Sequence, residues 1–116
     1  MFHSLIKEIW STTPGLDNVM LSGVDGIVIA RHHESEKDDI VAAEAASLVK
    51  DVQKFGGELE AGNLKSLCAH YEDMMIAIQM VTAEYLLLGV VKDPQYLGLV
   101  QYRFTLKSYE WYSAIA

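Results

Sequence analysis

Apolar side chains recur at helical spacing in the first residues of the chain. They stand at i, i+3, i+4, i+7 and i+8 and therefore share one side of a helix: Phe2, Leu5, Ile6, Ile9 and Trp10. Pro14 disfavours helical geometry in the residue before it, so the segment Thr12-Thr13-Pro14-Gly15 ends this helix. The pattern predicts a short amphipathic helix with one buried face.

A β-hairpin is predicted next. Residues 17–22 and 27–31 are rich in strand-forming side chains, and Asp25-Gly26 lies between them. An Asp-Gly pair favours a type I′ turn, in which both central residues take positive φ. The polar residues 32–37 predict a loop after the hairpin.

The longest helix is predicted over residues 40–55, with Asp38 and Asp39 at its N-terminus, where negative side chains are favoured. Gly56-Gly57 is expected to stop it. Its apolar side chains cover about half of the helix circumference at 100° per residue: Val41, Ala42, Ala45, Ala46, Leu48, Val49, Val52 and Phe55. This stripe is wider than one sheet contact needs, and its alanines allow another backbone to approach closely. A plain core helix is the alternative interpretation.

Three strands without crossover helices follow, over residues 64–71, 74–81 and 85–91. The first alternates in polarity, and the other two are nearly continuous apolar runs, as expected of strands covered on both faces. Because the connecting loops are too short for a crossover, the three strands predict an antiparallel meander.

The last helix is predicted to begin after Asp93, an N-cap, with Pro94 as its first residue. It carries two apolar stripes on roughly opposite sides. One consists of Leu97, Val100, Phe104 and Trp111, and the other, spaced like a heptad seam, of Leu99, Tyr102, Leu106 and Tyr109. One stripe is expected to cover the sheet. The other is left for solvent, a partner, a second copy of the chain, or the first helix near Phe2 and Trp10.

The composition narrows the functional classes. The chain of 116 residues is 51% hydrophobic, which excludes disorder and fits a single domain over residues 1–116. Sixteen acidic residues against nine basic ones give a net charge of −7, which disfavours nucleic-acid binding. The single cysteine excludes a disulfide framework. The sequence shows no signal peptide and no apolar run of membrane-spanning length, so we expect a soluble, cytoplasmic protein without membrane insertion.

Catalytic motifs are missing from the sequence. It contains neither a Walker-type phosphate loop nor a GxSxG elbow. Cys68 and His70 share one face of a strand and would supply half of the ligands of a metal site. No second cysteine and no histidine cluster in the sequence completes the ligand set. His32-His33 is interpreted as part of a solvated loop. We therefore expect no catalytic residues, no metal and no cofactor.

The order helix, hairpin, long helix, meander, helix resembles the Roadblock family of dynein light-chain type. The local matches are residues 13–17, 24–30, 42–48, 55–59 and 92–100, in the family's order, and the resemblance extends over almost the whole chain. The resemblance implies a profilin-like α/β sandwich with a five-stranded antiparallel sheet in the order 2-1-5-4-3 and helices on both faces.

The resemblance also implies a dimer, in which the third strands pair edge to edge and the long helices pack side by side. An unpaired edge strand is a liability in a monomer, which agrees with this arrangement. The expected interface residues are Val41, Ala42, Ala45, Ala46, Val49, Leu64, Ser66, Cys68 and His70. A homodimer is favoured, and a heterodimer is the alternative.

Members of this family act as scaffolds, and the prokaryotic, MglB-like members bind a Ras-like small GTPase and promote its nucleotide cycle. The resemblance thus implies a non-catalytic scaffold whose partner supplies the catalytic residues. We expect the GTPase to meet the solvent face of the long helix, at Glu44, Ser47, Asp51 and Lys54. Two alternatives stay open: an interaction subunit of a motor or signalling complex without a GTPase, and a small-molecule sensor that uses a hollow between helix and sheet.

Overall fold

A five-stranded antiparallel sheet in the order β2-β1-β5-β4-β3 forms the centre of the molecule. The computed structural model describes residues 1–115. In chain order its elements are α1 (Phe2–Thr12), β1 (Leu16–Gly23), β2 (Val28–Arg31), α2 (Asp38–Glu58), β3 (Ser66–His70), β4 (Met75–Met80), β5 (Tyr85–Val91) and, after a 3-10 turn at Pro94–Tyr96, α3 (Leu97–Ile115). The predicted elements and the predicted strand order are confirmed.

Helices α1 and α3 cover one face of the sheet. Alternate residues of the central strands point to this side, as the period of two requires. They pack against the first apolar stripe of α3 and the buried side of α1 in a cluster that includes Ile6, Ile9, Val19, Leu21, Ala77, Leu87, Val100, Phe104 and Trp111. Gly89 of β5 makes room for the ring of Phe104, because a Cβ at Gly89 would lie only 2.6 Å from it.

Helix α2 covers the other face alone. The intervening residues of the same strands, Met20, Ile76, Ile78, Leu86 and Leu88, meet Ala42, Ala45, Ala46 and Val49 in a second cluster. Three of these four helix residues are alanines, so the helix lies close to the sheet. The two clusters together are the helices-on-both-faces sandwich predicted from the sequence.

The turn between β1 and β2 differs from the predicted type I′ turn. The Gly26 N–H donates to the Gly23 carbonyl and the Gly23 N–H to the Ile27 carbonyl, each at 3.0 Å, which makes a three-residue loop. Only Gly26, at φ +86°, takes positive φ in this loop. Such loops combine a type I turn with one left-handed residue. Asp25 instead accepts a hydrogen bond from the Ile27 N–H through its side chain.

Helix α2 continues past the predicted stop. Gly56 and Gly57 are helical, and the helix ends at Glu58, after which Glu60 (φ +55°) and Gly62 (φ +86°) take left-handed conformations. Helical glycine is unfavourable by about 1 kcal/mol relative to alanine but is not forbidden. The left-handed residues that reverse the chain therefore lie a few positions later than the sequence indicated.

The aromatic residues of α1 do not meet the second stripe of α3. Phe2 lies beside Tyr85, with ring centroids 5.6 Å apart, and Trp10 stacks on His32 at 3.7 Å. The expectation that the second stripe of α3 packs near Phe2 and Trp10 was wrong. Asp93 acts as an N-cap as predicted, since it accepts from the Gln95 N–H, but it caps the 3-10 turn Pro94–Tyr96, and α3 itself begins at Leu97 rather than at Pro94.

Candidate dimer and partner interface

Strand β3 has one open edge. Within residues 1–115 it pairs only with β4, with Cys68 opposite Ala77 at the middle of the pair. The Tyr71 N–H donates to the Met74 carbonyl and the Met80 N–H to the Lys65 carbonyl. Because hydrogen-bonded and non-bonded pairs alternate, residues 65, 67, 69 and 71 direct their backbone groups towards β4. The N–H and C=O groups of Ser66, Cys68 and His70 therefore point out of the sheet.

The side chains of β3 divide between the two faces of the sheet. Cys68 is half-buried and packs with the α1 and α3 cluster, while Ser66 and His70, two residues to either side, are exposed. Leu64 precedes the strand and packs with the α2 cluster. The prediction grouped Leu64 with the other three on one face. The structure corrects this, because the regular alternation begins only at Ser66.

The predicted α2 interface residues are mostly covered by the chain's own sheet. Ala42, Ala45, Ala46 and Val49 are each at most 5% exposed, and Val41 is half-buried at the margin of the same cluster. A second copy of the chain has no access to these four buried side chains. For this part of the interface the alternative interpretation of a core helix is the one that the structure supports.

The free apolar surface of α2 lies on one flank of the helix. Leu48, Phe55 and Leu59 are 37%, 60% and 63% exposed, and Val41 and Val52 lie half-buried beside them. At 100° per residue these side chains occupy one 60° sector next to the alanine face. Phe55, Leu59 and Val52 line a shallow cleft with Leu64 and Lys65, which places the flank on the side of β3. We call these five residues, 41, 48, 52, 55 and 59, the α2 flank.

The sequence prediction placed Leu48 and Phe55 in the wide stripe but limited the interface residues of α2 to Val41, the three alanines and Val49. A signal for the correct division was present. Small residues mark the line where a helix approaches a sheet most closely, so the large residues at the margin of the stripe are the ones left outside. Leu59 was missed because it follows the two glycines that were expected to end the helix.

The four predicted partner-binding residues share the outer side of α2. Glu44, Ser47, Asp51 and Lys54 are all exposed and lie opposite the alanine face. Ile40, which is 62% exposed, lies on the same outer side near the N-terminus of the helix. The structure thus brings these residues together on one accessible surface, with two carboxylates and one ammonium group.

A buried carboxylate fixes the N-terminus of α2. Asp38 is 3% exposed and accepts hydrogen bonds from Arg31 (Nη1, 3.0 Å), the Ser35 N–H (2.9 Å) and Asn18 (Nδ2, 3.2 Å). The bond to Asp38 raises the pKa of the Arg31 guanidinium. Asn18 also donates to the His33 carbonyl through Nδ2 and accepts from the His33 N–H through Oδ1. The network ties α2 and the preceding loop to β1 and β2.

The two histidines of the loop lie against α1. His32 stacks on Trp10 with an interplanar angle of 11°, and His33 meets Trp10 edge-on. Burial and, secondarily, the charge of His33 lower the pKa of His32 below 6.5. This loop is therefore held by aromatic packing as well as by Asn18, while His32 and His33 stay exposed, as predicted for a solvated loop.

Groups suited to catalysis or metal binding are sparse. Among the described residues no three histidine, cysteine, aspartate or glutamate side chains lie together as a metal site would require. Burial raises the pKa of the Cys68 thiol, which opposes the reactive thiolate form. A surface cleft of about 540 Å³ lies between the second half of α3, the end of β4 at Gln79 and Met80, and residues 63–66 and 81–83.

The second stripe of α3 faces away from the sheet. Leu99, Tyr102, Leu106 and Tyr109 are 39%, 61%, 39% and 70% exposed. The sequence prediction that one stripe covers the sheet while the other stays outside is confirmed. In residues 1–115 no helix is both long enough and apolar enough to span a membrane.

Comparisons with known proteins agree on the fold. The family model described as the Roadblock/LC7 domain matches residues 6–92. Solved structures that superimpose on the chain include Myxococcus xanthus MglB (TM-score 0.84, 14% identity, 97% of this chain and 93% of that chain). A Roadblock/LC7 domain from Streptomyces avermitilis gives a TM-score of 0.83 at 14% identity, covering 97% and 96% of the two chains.

The profilin-like architecture is also shown. Profilin II of Acanthamoeba castellanii superimposes with a TM-score of 0.74 at 13% identity over 98% of each chain. A comparison with curated protein sequences gives no significant match. At these identities the structural likenesses establish the fold, and the match to the family model establishes the kind of domain.

Proposed function

The chain belongs to the Roadblock/LC7 domain family, and from this premise we propose that it is a non-catalytic, cytoplasmic, homodimeric scaffold that binds and regulates a Ras-like small GTPase. The observation that carries the proposal is the open edge of β3 continuing into the exposed α2 flank. One surface thereby offers both unpaired backbone groups and apolar side chains, and a second copy of the chain satisfies both.

The outward groups of β3 support one arrangement for the proposed dimer. A two-fold axis normal to the sheet at Cys68 sets Ser66–His70 antiparallel to the same strand of the partner, with Ser66 opposite the partner's His70. The outward N–H and C=O groups then bond each other, and the two Cys68 Cα atoms lie about 5.5 Å apart, the spacing of a hydrogen-bonded pair. The result is one continuous ten-stranded sheet, which removes both open β3 edges.

The same axis brings the two α2 flanks together. Because the axis is normal to the sheet, both α2 helices stay on one face, and their β3-facing sides meet. Leu48 and Phe55 of each copy then leave water, which supplies the hydrophobic part of the interface. An interface of this kind is self-complementary, as a two-fold dimer requires.

The outer sides of the paired α2 helices form the proposed platform for the GTPase. Each copy contributes Glu44, Ser47, Asp51 and Lys54, so the platform carries four carboxylates and two ammonium groups. A basic face on the GTPase would be attracted to this charge, which speeds encounter more than it adds affinity. The scaffold acts by binding one arrangement of the partner's switch loops better than another, which shifts their population.

The proposed dimer is tested by blocking the open edge of β3 in the single chain. Cys68→Pro removes the N–H that points out of the sheet and leaves the bonds to β4 intact, so edge pairing is blocked. Cys68→Ser keeps this N–H and is the matched control. In sedimentation at micromolar concentration we expect Cys68→Pro to lose the β3-paired dimer and Cys68→Ser to keep it. Equal association of the two variants would contradict edge pairing.

Mild oxidation gives an independent test of the register. Two Cα atoms at about 5.5 Å are within the range for a disulfide, so the wild-type dimer should become covalently linked through Cys68. Any other centre of pairing moves the two thiols apart, and the link would then not form.

The regulatory role is tested by GTP hydrolysis. We expect the Ras-like GTPase encoded nearest to this chain to change its hydrolysis rate when the chain is added, and Glu44→Arg with Asp51→Arg to abolish the change. Glu36→Arg with Glu84→Arg makes the same change of charge at exposed residues outside the proposed platform and should leave the effect intact. A dimer that neither binds the GTPase nor alters its rate would contradict the GTPase role and favour the interaction-subunit alternative.

A further inference from the structure

The surface cleft beside the second half of α3 has the size and the mixed lining of a small-molecule site. Its volume of about 540 Å³ lies within the range of pockets that hold small ligands. Two of its lining side chains, Gln79 and Ser108, are buried, whereas Lys65, Tyr109 and Tyr112 are exposed at its rim. We propose that this α3 cleft binds a small organic anion that carries a planar ring and an N–H or O–H donor, the chemistry of a nucleoside monophosphate.

The side-chain amide of Gln79 holds a buried acceptor that lacks a donor. Gln79 is 5% exposed, and its Nε2 donates to the carbonyls of Lys65 (3.1 Å) and Met80 (3.4 Å). Its Oε1 lies 3.4 Å from Thr105 Oγ1, which is longer than an ordinary O–H···O hydrogen bond. The Thr105 hydroxyl has a single hydrogen and directs it to the Gln101 carbonyl at 3.0 Å. The Oε1 atom is therefore left for a donor that enters the cleft.

Ser108 supplies a second acceptor to the same cleft. It is 7% exposed, and its hydroxyl donates to the Thr105 carbonyl at 2.7 Å. The hydrogen of this hydroxyl is thereby used, and the oxygen keeps its lone pairs for accepting. Because both buried side chains offer acceptors, they select a ligand that presents N–H or O–H groups to them. The amino group or ring N–H of a nucleobase has this chemistry.

The charge of the lining favours an anion. Lys65 is exposed at the rim and takes part in none of the ion pairs within the described residues. Among residues 1–114 no aspartate or glutamate lines the cleft, although the chain carries sixteen of them. The potential in the cleft is therefore more positive than over the rest of an acidic surface, which attracts a phosphate or carboxylate group.

The two tyrosines account for the planar ring in the proposed ligand. Tyr109 and Tyr112 are 70% and 56% exposed and lie three residues apart on α3, so they are neighbours on the helix surface. Aromatic side chains stack with planar rings, and a nucleobase gains from this contact whatever its identity. A sugar phosphate without a ring of this kind gains nothing from them.

Binding is tested by isothermal titration calorimetry with AMP and GMP as probes. We expect at least one of them to bind, and adenosine or guanosine, which lack the phosphate, to bind at least about tenfold more weakly than the matching monophosphate. Ribose 5-phosphate, which lacks the base, should be weaker by a similar factor. Equal binding of the nucleoside would overturn the role of the anion, and equal binding of ribose 5-phosphate would overturn the role of the ring. No binding of AMP or GMP at about 10 mM would overturn the inference as a whole.

Two variants locate the bound probe in the α3 cleft. Gln79→Met keeps the side-chain volume and removes the buried acceptor, and we expect it to weaken binding about tenfold or more. Gln101→Met makes the same exchange at an exposed position of α3 outside the cleft and should bind as the wild type does. Circular dichroism checks that both variants are folded.

Lys65→Gln changes an exposed side chain and keeps the test valid if Gln79→Met does not fold. It should weaken binding of the monophosphate about tenfold and should leave binding of the nucleoside unchanged, because only the phosphate meets the lysine. A general loss of structure would weaken both. Lys37→Gln, at an exposed position outside the cleft, is the control. If Lys65→Gln and Gln79→Met both bind the monophosphate as the wild type does, the site is not this cleft.

The inference goes beyond the proposed function and does not rest on it. Of the residues that line the cleft only Ser66 belongs to β3, so the site lies within one copy of the chain. Cys68→Pro, which blocks edge pairing, should therefore bind the probe with the affinity of the wild type. Loss of binding in Cys68→Pro, with binding kept in Cys68→Ser, would overturn the assignment of the site to a single copy.

Discussion

The two faces of the sheet are covered in different ways. On one face α2 approaches with Ala42, Ala45 and Ala46, and a single close helix suffices. On the other face α1 and α3 bury large side chains such as Phe104 and Trp111. Gly89, which has no side chain, leaves room for the Phe104 ring. The close contact of α2 with the sheet leaves the larger residues of α2 at its margin. On the other face, α1 and α3 bury their own large residues inside the contact. The close approach of α2 is thus the reason that its flank is free for a partner.

The largest predicted effect on stability is on the face of the sheet that α1 and α3 cover. Phe104→Ala empties the space beside Gly89 and should lower the free energy of unfolding by about 3–5 kcal/mol. Urea denaturation at matched protein concentration measures it, since association also affects apparent stability. Tyr102→Ala, on the same helix but outside the core, is the control for intrinsic stability under conditions where the chain is not assembled, and should change it by less than about 0.5 kcal/mol. Equal losses for the two variants would contradict the division of α3 into an inner and an outer side.

The face of the sheet that α2 covers is sensitive to the opposite kind of change, the addition of side-chain volume. Ala42→Leu inserts a large side chain where α2 meets the sheet and should cost about 1–3 kcal/mol, because the helix has to move away. Ser47→Leu adds a comparable volume on the outer side of α2 and should be nearly neutral in the free energy of unfolding. If Ala42→Leu were tolerated as well as Ser47→Leu, the close approach of α2 would not be required by the fold.

The polar attachment of α2 contributes less than its packing. Asp38→Ala removes the acceptor of three hydrogen bonds and should lower the free energy of unfolding by about 1–2 kcal/mol, since Arg31 is partly exposed and regains water. Asp39→Ala alters the adjacent, exposed carboxylate and should shift the urea midpoint little. A loss for Asp39→Ala as large as for Asp38→Ala would assign the effect to the charge at the helix terminus rather than to the network.

The smallest predicted effect concerns pH and the loop before α2. The pKa of His32 is lowered in the folded chain, so between that value and 6.5 the unfolded chain binds more protons. The free energy of unfolding should therefore fall as the pH falls through 6.5. His32→Gln should reduce this slope, measured by urea midpoints between about pH 7.5 and 5.5.

The sequence predicted the order and type of the elements because each has a distinct period. The stripe of α1, the alternation in residues 64–71 and the apolar runs of β4 and β5 are local signals, and Asp93-Pro94 marks a helix start by its own chemistry. The order of the strands came from the family resemblance rather than from periodicity. Local patterns do not state which strands lie next to each other.

The details that failed depend on contacts beyond the local segment. Asp25-Gly26 occurs in two-residue and three-residue hairpin loops, and the register of β1 with β2 decides between them. Gly56 and Gly57 are compatible with both a helix and its end. For the interface, a stripe covering half of α2 does not determine which part meets the sheet, so the predicted interface included Ala42, Ala45, Ala46 and Val49 although the chain's own sheet covers them.

The position of β5 has a consequence for how the chain folds during synthesis. β1 with β2, and β3 with β4, are joined by short turns and are able to pair as soon as each is made. β5 is the last strand in the sequence, yet it lies between β1 and β4 and is the only link between the two hairpins. The sheet therefore cannot close until residues 85–91 have left the ribosome. Until then the nascent chain exposes the inner edges of β1 and β4 and their apolar side chains. Aggregation of the chain, and binding by a chaperone, are therefore most favoured before β5 is made.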